Sequence, residues 1–233
     1  MRGCLSVIVL AVLFLTVAIW FGGPPLASAI VTSTLTGTGF TSDTLDVEVR
    51  AEPPLTLAVG RASSISIDAT GVSWNNLKLA SLSLNLRSVD LIARTATSAD
   101  GELGGVTFTG TGGQPIVADV ELSGPADAAR ATITVDVATV TRMALAAFDA
   151  DFGVRPSSAT LIAPDIIQVK VGGLTLNGHL SVARDGSIVA TANGSTSRIL
   201  APDPSLPVHL TGLAVTPTEL ELRGTIDVSS LLR

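Results

Sequence analysis

The chain has 233 residues, 46% of them hydrophobic but only 3% aromatic with no tyrosine, so an interior must be built from Leu, Ile, Val and Ala. A formal charge of -6 with Lys and Arg scattered along the chain excludes a phosphate-backbone partner, which needs clustered cations, so no nucleic acid is expected. The single cysteine, Cys4, leaves no disulfide and no thiolate metal site, and stability must come from packing.

Leu5 to Phe21 carries no charge, and Ser6 and Thr16 are its only polar members. Residues 1–23 are expected to be a signal peptide or transmembrane anchor. Arg2 precedes the run and the next charge is Asp43, so the positive-inside bias leaves the amino end in the cytoplasm and the rest outside. The run is long for a signal core and short for a span, and Ala27-Ser28-Ala29 has the form of a cleavage site. Both outcomes stay open: a membrane-held domain on the extracytoplasmic side, or export after cleavage near Ala29. Residues 24–40, rich in Thr, Ser and Gly after Pro24-Pro25, are a linker or helix.

Residues 41–233 are expected to form one β-rich domain. Thr44 to Arg50 and Ser64 to Asp68 alternate apolar and polar residues, the period of strands with one dry face. Between Leu77 and Leu91 the apolar parity switches, which predicts a bulge or bend near Ala80-Ser81 and a curved sheet. The glycines at 101, 104, 105, 110, 112 and 113 suit hairpin turns better than a phosphate cradle, since the segment continues as the strand-like Val106 to Thr109 with no helix start and no Lys.

Ala131 to Val137 alternates again, and then the period lengthens. Val140, Met143, Ala144, Ala147 and Phe148 share one stripe of a helix over Thr139 to Asp149, which Gly153 and Pro156 stop. Ile166 to Val171, a Gly172-Gly173 turn, Leu174 to Val182 and an Asp185-Gly186 turn predict a meander. Val189 to Ala192 follows, then a break at Pro202, Pro204 and Pro207. Val208 to Leu210, Leu213 to Val215, and Leu220 through Val228 are the last strand patterns. The fold class read from this order is α+β, mostly β: a strongly curved antiparallel sheet wrapping one or two helices.

No enzyme is expected. The only histidines, His179 and His209, sit opposite leucines in alternating patterns, which puts them in solvent, and no G-x-S-x-G elbow occurs. No spacing supplies a third metal ligand, so neither metal nor cofactor is expected. The acid pairs Asp46/Glu48 and Glu219/Glu221 belong on wet strand faces. Asp149/Asp151 crowd a helix end without a clear role, and Asn193-Gly194-Ser195 is only a surface hint.

Pro54-Leu55-Thr56-Leu57-Ala58-Val59-Gly60-Arg61-Ala62, followed by Ser64 to Ala69, resembles the LmeA-like family of bacterial envelope phospholipid-binding proteins. The likeness continues through Leu77-Lys78-Leu79, Val89-Asp90-Leu91 and Leu206-Pro207 with the two strands after it, covering roughly residues 28 to 230. It implies a fold similar to tubular lipid-binding domains, in which a curved sheet wraps a long helix and leaves a groove for acyl chains. Ile30 to Thr38, rich in poor helix formers, departs from that pattern. The expected function is non-enzymatic binding of membrane phospholipid, with transfer or envelope maintenance as its use. Val140, Met143, Ala147, Phe148 and Phe152 are the candidate groove lining. The same stripe suits a plain core, and a structural or interaction β-domain without ligand is the alternative.

Overall fold

The computed structural model describes residues 28–29, 32–33, 39–74, 77–109, 115–201 and 208–231. The apolar run Leu5–Phe21, most of the 24–40 segment, the glycines at 110, 112 and 113 and the prolines at 202, 204 and 207 lie outside them.

Six strands come first: β1 (Thr44–Arg50), β2 (Arg61–Trp74), β3 (Leu77–Asp90), β4 (Ser98–Thr109), β5 (Pro115–Pro125) and β6 (Ala129–Asp136). Helix α1 (Val137–Phe152) follows, then β7 (Ser158–Ile162), β8 (Ile166–Val171), β9 (Leu174–Val182), β10 (Ile188–Ala192) and β11 (Ser195–Leu200). The chain closes with β12 (Val208–Val215), β13 (Glu219–Ile226) and a one-turn helix α2 (Val228–Leu231). The predicted mostly-β content holds, but the strands divide into two antiparallel sheets rather than one. An eight-stranded sheet runs β1-β2-β3-β4-β5-β6-β13-β12, and a five-stranded sheet runs β11-β10-β9-β8-β7. The division follows from α1: its 16 residues carry the chain off the edge of β6, and five strands pair among themselves before β13 returns to that edge.

Helix α1 forms where apolar spacing shifts from two to between three and four. The Asp136 carboxylate accepts from Thr139 N at 3.1 Å at its start, and Gly153, at φ 63°, ends it by donating to Asp149 O. The helix touches β7 and β11, the two edges of the small sheet, as well as β6 and β13 of the large one. One core cluster lies within the large sheet around Ile65, Ile67, Leu86 and Leu122. A second joins α1 to both sheets around Ile116, Met143, Ile188 and Leu220. Ile133 and Val208 pack against both.

The change of face near Ala80-Ser81 is present: Leu79 is buried, and beyond it Leu82, Leu84 and Leu86 carry the apolar face. It arises as a bend shared by two strands, because the β2–β3 register is the same on both sides, from Val72↔Leu79 to Ala69↔Leu82. Gly71, at φ 59°, stands at the same level on β2. The bulge falls one strand further, in β4, where the register to β5 slips between Leu103 and Val106 and Gly105 takes φ 61°. Gly101, Gly104 and Gly105 therefore lie inside a strand, not in hairpin turns as their clustering suggested. The Gly172-Gly173 turn and the β8-β9-β10 meander are as predicted. Val208 to Val215 is one strand with an irregularity between Leu210 and Gly212, and Val228 belongs to α2 instead of the last strand.

Candidate functional site

The five residues singled out on α1 do not share one environment. Val140, Met143 and Ala147 are buried, Phe148 is half-buried against the second core, and Phe152 is 44% exposed. The Phe148 and Phe152 rings meet with centroids 4.6 Å apart. Val140 and Met143 face Ile116, Val135, Ile188, Ile199, Leu220 and Leu222 around a void of about 10 Å³. That is the space of about one water, so this stripe is packed as a core in the conformation described. The acids at the helix end are taken up locally: the Ser197 hydroxyl donates to Asp151 Oδ2 and Arg155 lies 3.7 Å from Asp149.

A longer apolar surface is built by strand register. Leu45, Ala69, Leu82, Leu103, Val120, Ile133, Leu222 and Leu213 pair successively across all eight strands of the large sheet, and every member is apolar. Two residues along, Val47, Ile67, Leu84, Gly101, Leu122, Ala131, Gly224 and Leu210 form a second such row. Side chains two apart on a strand share a face, so both rows line one side of the sheet. Seven strand spacings of about 4.8 Å make each row about 33 Å long.

Within this face Leu45, Leu82, Leu84, Leu103 and Ile133 remain half-buried, whereas Ile65, Ile67, Leu86 and Ala99 are closed. Between Leu45 and Ile133 the row therefore alternates partly exposed members, Leu45, Leu82, Leu103 and Ile133, with buried ones, Ala69 and Val120. Gly101 opposite Leu84 keeps it level: a Cβ there would fall 2.6 Å from Ser83 O and 3.1 Å from Leu84 Cδ1. Sequence reading missed this surface because each strand shows only its own alternation, and the rows exist only once the register is known.

The opposite face is acidic. Asp46 stands directly across from Asp68 and Glu102 from Glu121, with Glu48, Asp100 and Glu221 nearby on the same side. Arginines temper part of it. Arg50 holds Glu48 at 2.8 Å, which lowers the carboxyl from its ordinary value, and Arg223 holds Glu221 at 2.6 Å.

His179 and His209 are both exposed, as their positions in the alternation predicted. The Nδ1 of His179 lies 3.3 Å from Asp165 Oδ2. Among the described residues, no three His, Cys, Asp or Glu side chains are grouped to hold a metal ion, and no helix is long and apolar enough to cross a membrane. No known protein family, characterised protein or solved structure matches the chain.

Proposed function

We propose that the protein is a non-enzymatic phospholipid-binding domain of a bacterial envelope, held at or exported across the membrane by its first two dozen residues. Acyl chains lie across the eight-stranded sheet along the track from Leu45 through Leu82 and Leu103 to Ile133. The observation that carries this reading is the apolar row unbroken over eight strands, in which Leu82, Leu103 and Ile133 stay half-buried. Its length of about 33 Å exceeds that of one acyl chain, which spans about half of a bilayer's hydrocarbon core of about 30 Å. Each methylene removed from water there contributes about 0.8 kcal/mol, so the site needs few polar groups. The likeness of the Pro54 to Ala69 stretch to the LmeA-like family supports the same reading.

The protein, extracted gently from its host, is expected to carry phospholipid in native mass spectrometry. A photoactivatable acyl chain should then label peptides containing Leu82, Leu103 and Ile133. Absence of co-purified lipid together with no uptake from vesicles would falsify the proposal. A second reading, a structural or interaction β-domain without ligand, is favoured by the small void beside Met143, since an interior closed there needs no guest. Labelling confined to α1, around Phe148 and Phe152, would instead move the lipid to the helix.

A further inference from the structure

The end of the large sheet where β2 begins and β3 ends holds the most exposed pair of adjoining apolar turns among the described residues. A 3₁₀ turn, Pro54–Val59, presents Leu55 at 52% and Val59 at 60% exposure, and the Leu91–Arg94 turn presents Ile92 at 78%. The two turns touch. Leu91 N donates to Gly60 O at 2.7 Å, and a Cβ on Gly60 would fall 2.5 Å from Ile92 Cγ1.

These side chains are held outward by ordered backbone. Gly60, at φ 74°, donates to Leu57 O, and Asp90 Oδ1 accepts from Ile92 N at 3.0 Å and from Ala93 N at 2.8 Å. Asp90 and Thr95 also exchange backbone bonds beneath the turn. Behind the tip, Leu57 and Leu91 pack on the first core, so the exposed aliphatic surface continues into the apolar face of the sheet. Exposed patches of this kind on a rigid support mark binding surfaces.

The charge at the tip differs from that of the chain. Residues 53–61 and 91–97 contain Arg61 and Arg94 and no carboxylate, although the whole chain has 20 acidic residues. Glu52 and Asp90 lie at the base, where Asp90 pairs with Arg61 at 4.0 Å and caps the turn with its other oxygen. Aliphatic side chains at the apex with arginines around them match a bilayer surface, whose acyl region takes the first and whose phosphates take the second. Position agrees: Ser28 lines one open cleft of about 560 Å³ with Asp46–Glu52, the stretch that runs into the tip. In sequence Ser28 stands seven residues after Phe21, the end of the apolar run, and seven residues reach at most about 25 Å.

We propose that the Leu55–Val59–Ile92 tip docks into the headgroup layer of a phospholipid bilayer, inserting its aliphatic side chains and placing Arg61 and Arg94 among the phosphates. Docking does not require that the sheet hold a lipid, and its test is separate. The full chain carrying Cys4→Ser and one new cysteine, Leu55→Cys, Ile92→Cys or Leu174→Cys, is labelled with a small nitrobenzoxadiazole dye. It is then reconstituted in vesicles of phosphatidylcholine and phosphatidylglycerol. Leu174 is the control, 70% exposed at the start of β9 in the other sheet. Dithionite is added, and rates are compared within the fraction of protein that faces it. Labels at 55 and 92 are expected to react at least about tenfold more slowly than the label at 174, because a charged reductant is excluded from hydrocarbon. Equal fast rates at all three sites overturn the proposal and leave the tip to a protein partner. Equal protection at all three also overturns it, since the tip would then have no special place. Protection at the tip in protein that takes up no acyl chain would refute the lipid-binding reading and leave docking intact.

Discussion

At the scale of single residues, the helix stripe sorts by depth. Met143, 3% exposed, borders the small void, so Met143→Ala is expected to cost about 2–5 kcal/mol, while Phe152→Ala, at a 44% exposed site, costs much less. Thermal denaturation of the two variants measures the difference, and similar losses would contradict the packing described. Asp185 gives a pH-dependent case. Hydrogen bonds from Ser187 hold its carboxyl below the ordinary value of 3.8, with Arg198 adding attraction at 3.0 Å. A lowered folded value means that the contribution is present above the ordinary value and is lost as pH falls through the folded one. The stability gap between the native chain and Asp185→Ala should therefore shrink as pH falls below the ordinary value of 3.8 in thermal melts. Burial of Val140, Met143 and Ala147 was legible in the sequence, since helical period places them on one stripe. The exposure of Phe152 was not, because it sits in the last turn, where α1 runs past what covers Phe148.

At the scale of elements, alternation located β1 to the residue and found most of the strands. It did not mark β5, β7 or β11, and of β4 it caught only the Val106 to Thr109 end. Glycines disfavour strands on propensity, yet Gly101 lies where a side chain would meet the β3 backbone, and Gly105 supplies the left-handed residue of a bulge. Gly224 on β13 answers the same need. Its missing Cβ would collide with the carbonyl oxygen of His209 across the β12–β13 ladder. Gly224→Ala is expected to push β12 from its neighbour and destabilise the fold by about 1–3 kcal/mol, with faster amide exchange confined first to β12 and β13. An unchanged exchange pattern there would contradict the close approach. The apolar rows belong to this scale too. Leu82 and Leu103 are ordinary members of two alternating segments until the register sets them side by side.

At the scale of the whole molecule, the sequence pattern led to one curved sheet, and the structure has two sheets with α1 between them. Local periodicity cannot show which strands pair at long range: β6 finds its partner in β13, with Asp136 opposite Glu219, 83 positions further along the chain. The return of β12 and β13 ties the large sheet to the core shared with α1, through Leu210, Val215, Leu220 and Leu222. Unfolding is accordingly expected as one transition. Fluorescence of a probe in the large sheet, such as Trp74, and far-ultraviolet dichroism should give the same midpoint, and two separated midpoints would show that the sheets are independent units.

The same return governs how the chain is made. Once Asp136 has been synthesised, β6 presents a finished strand with an unoccupied edge, and its neighbour is still 83 residues away. At about 5–20 residues per second the ribosome needs about 4–17 s to deliver it. For that interval the nascent chain carries an open ladder beside its aliphatic rows, a template on which a second unfinished copy could pair. A chaperone that shields extended segments until translation reaches Ile226 would have its greatest effect in this window, before the last two strands seal the edge.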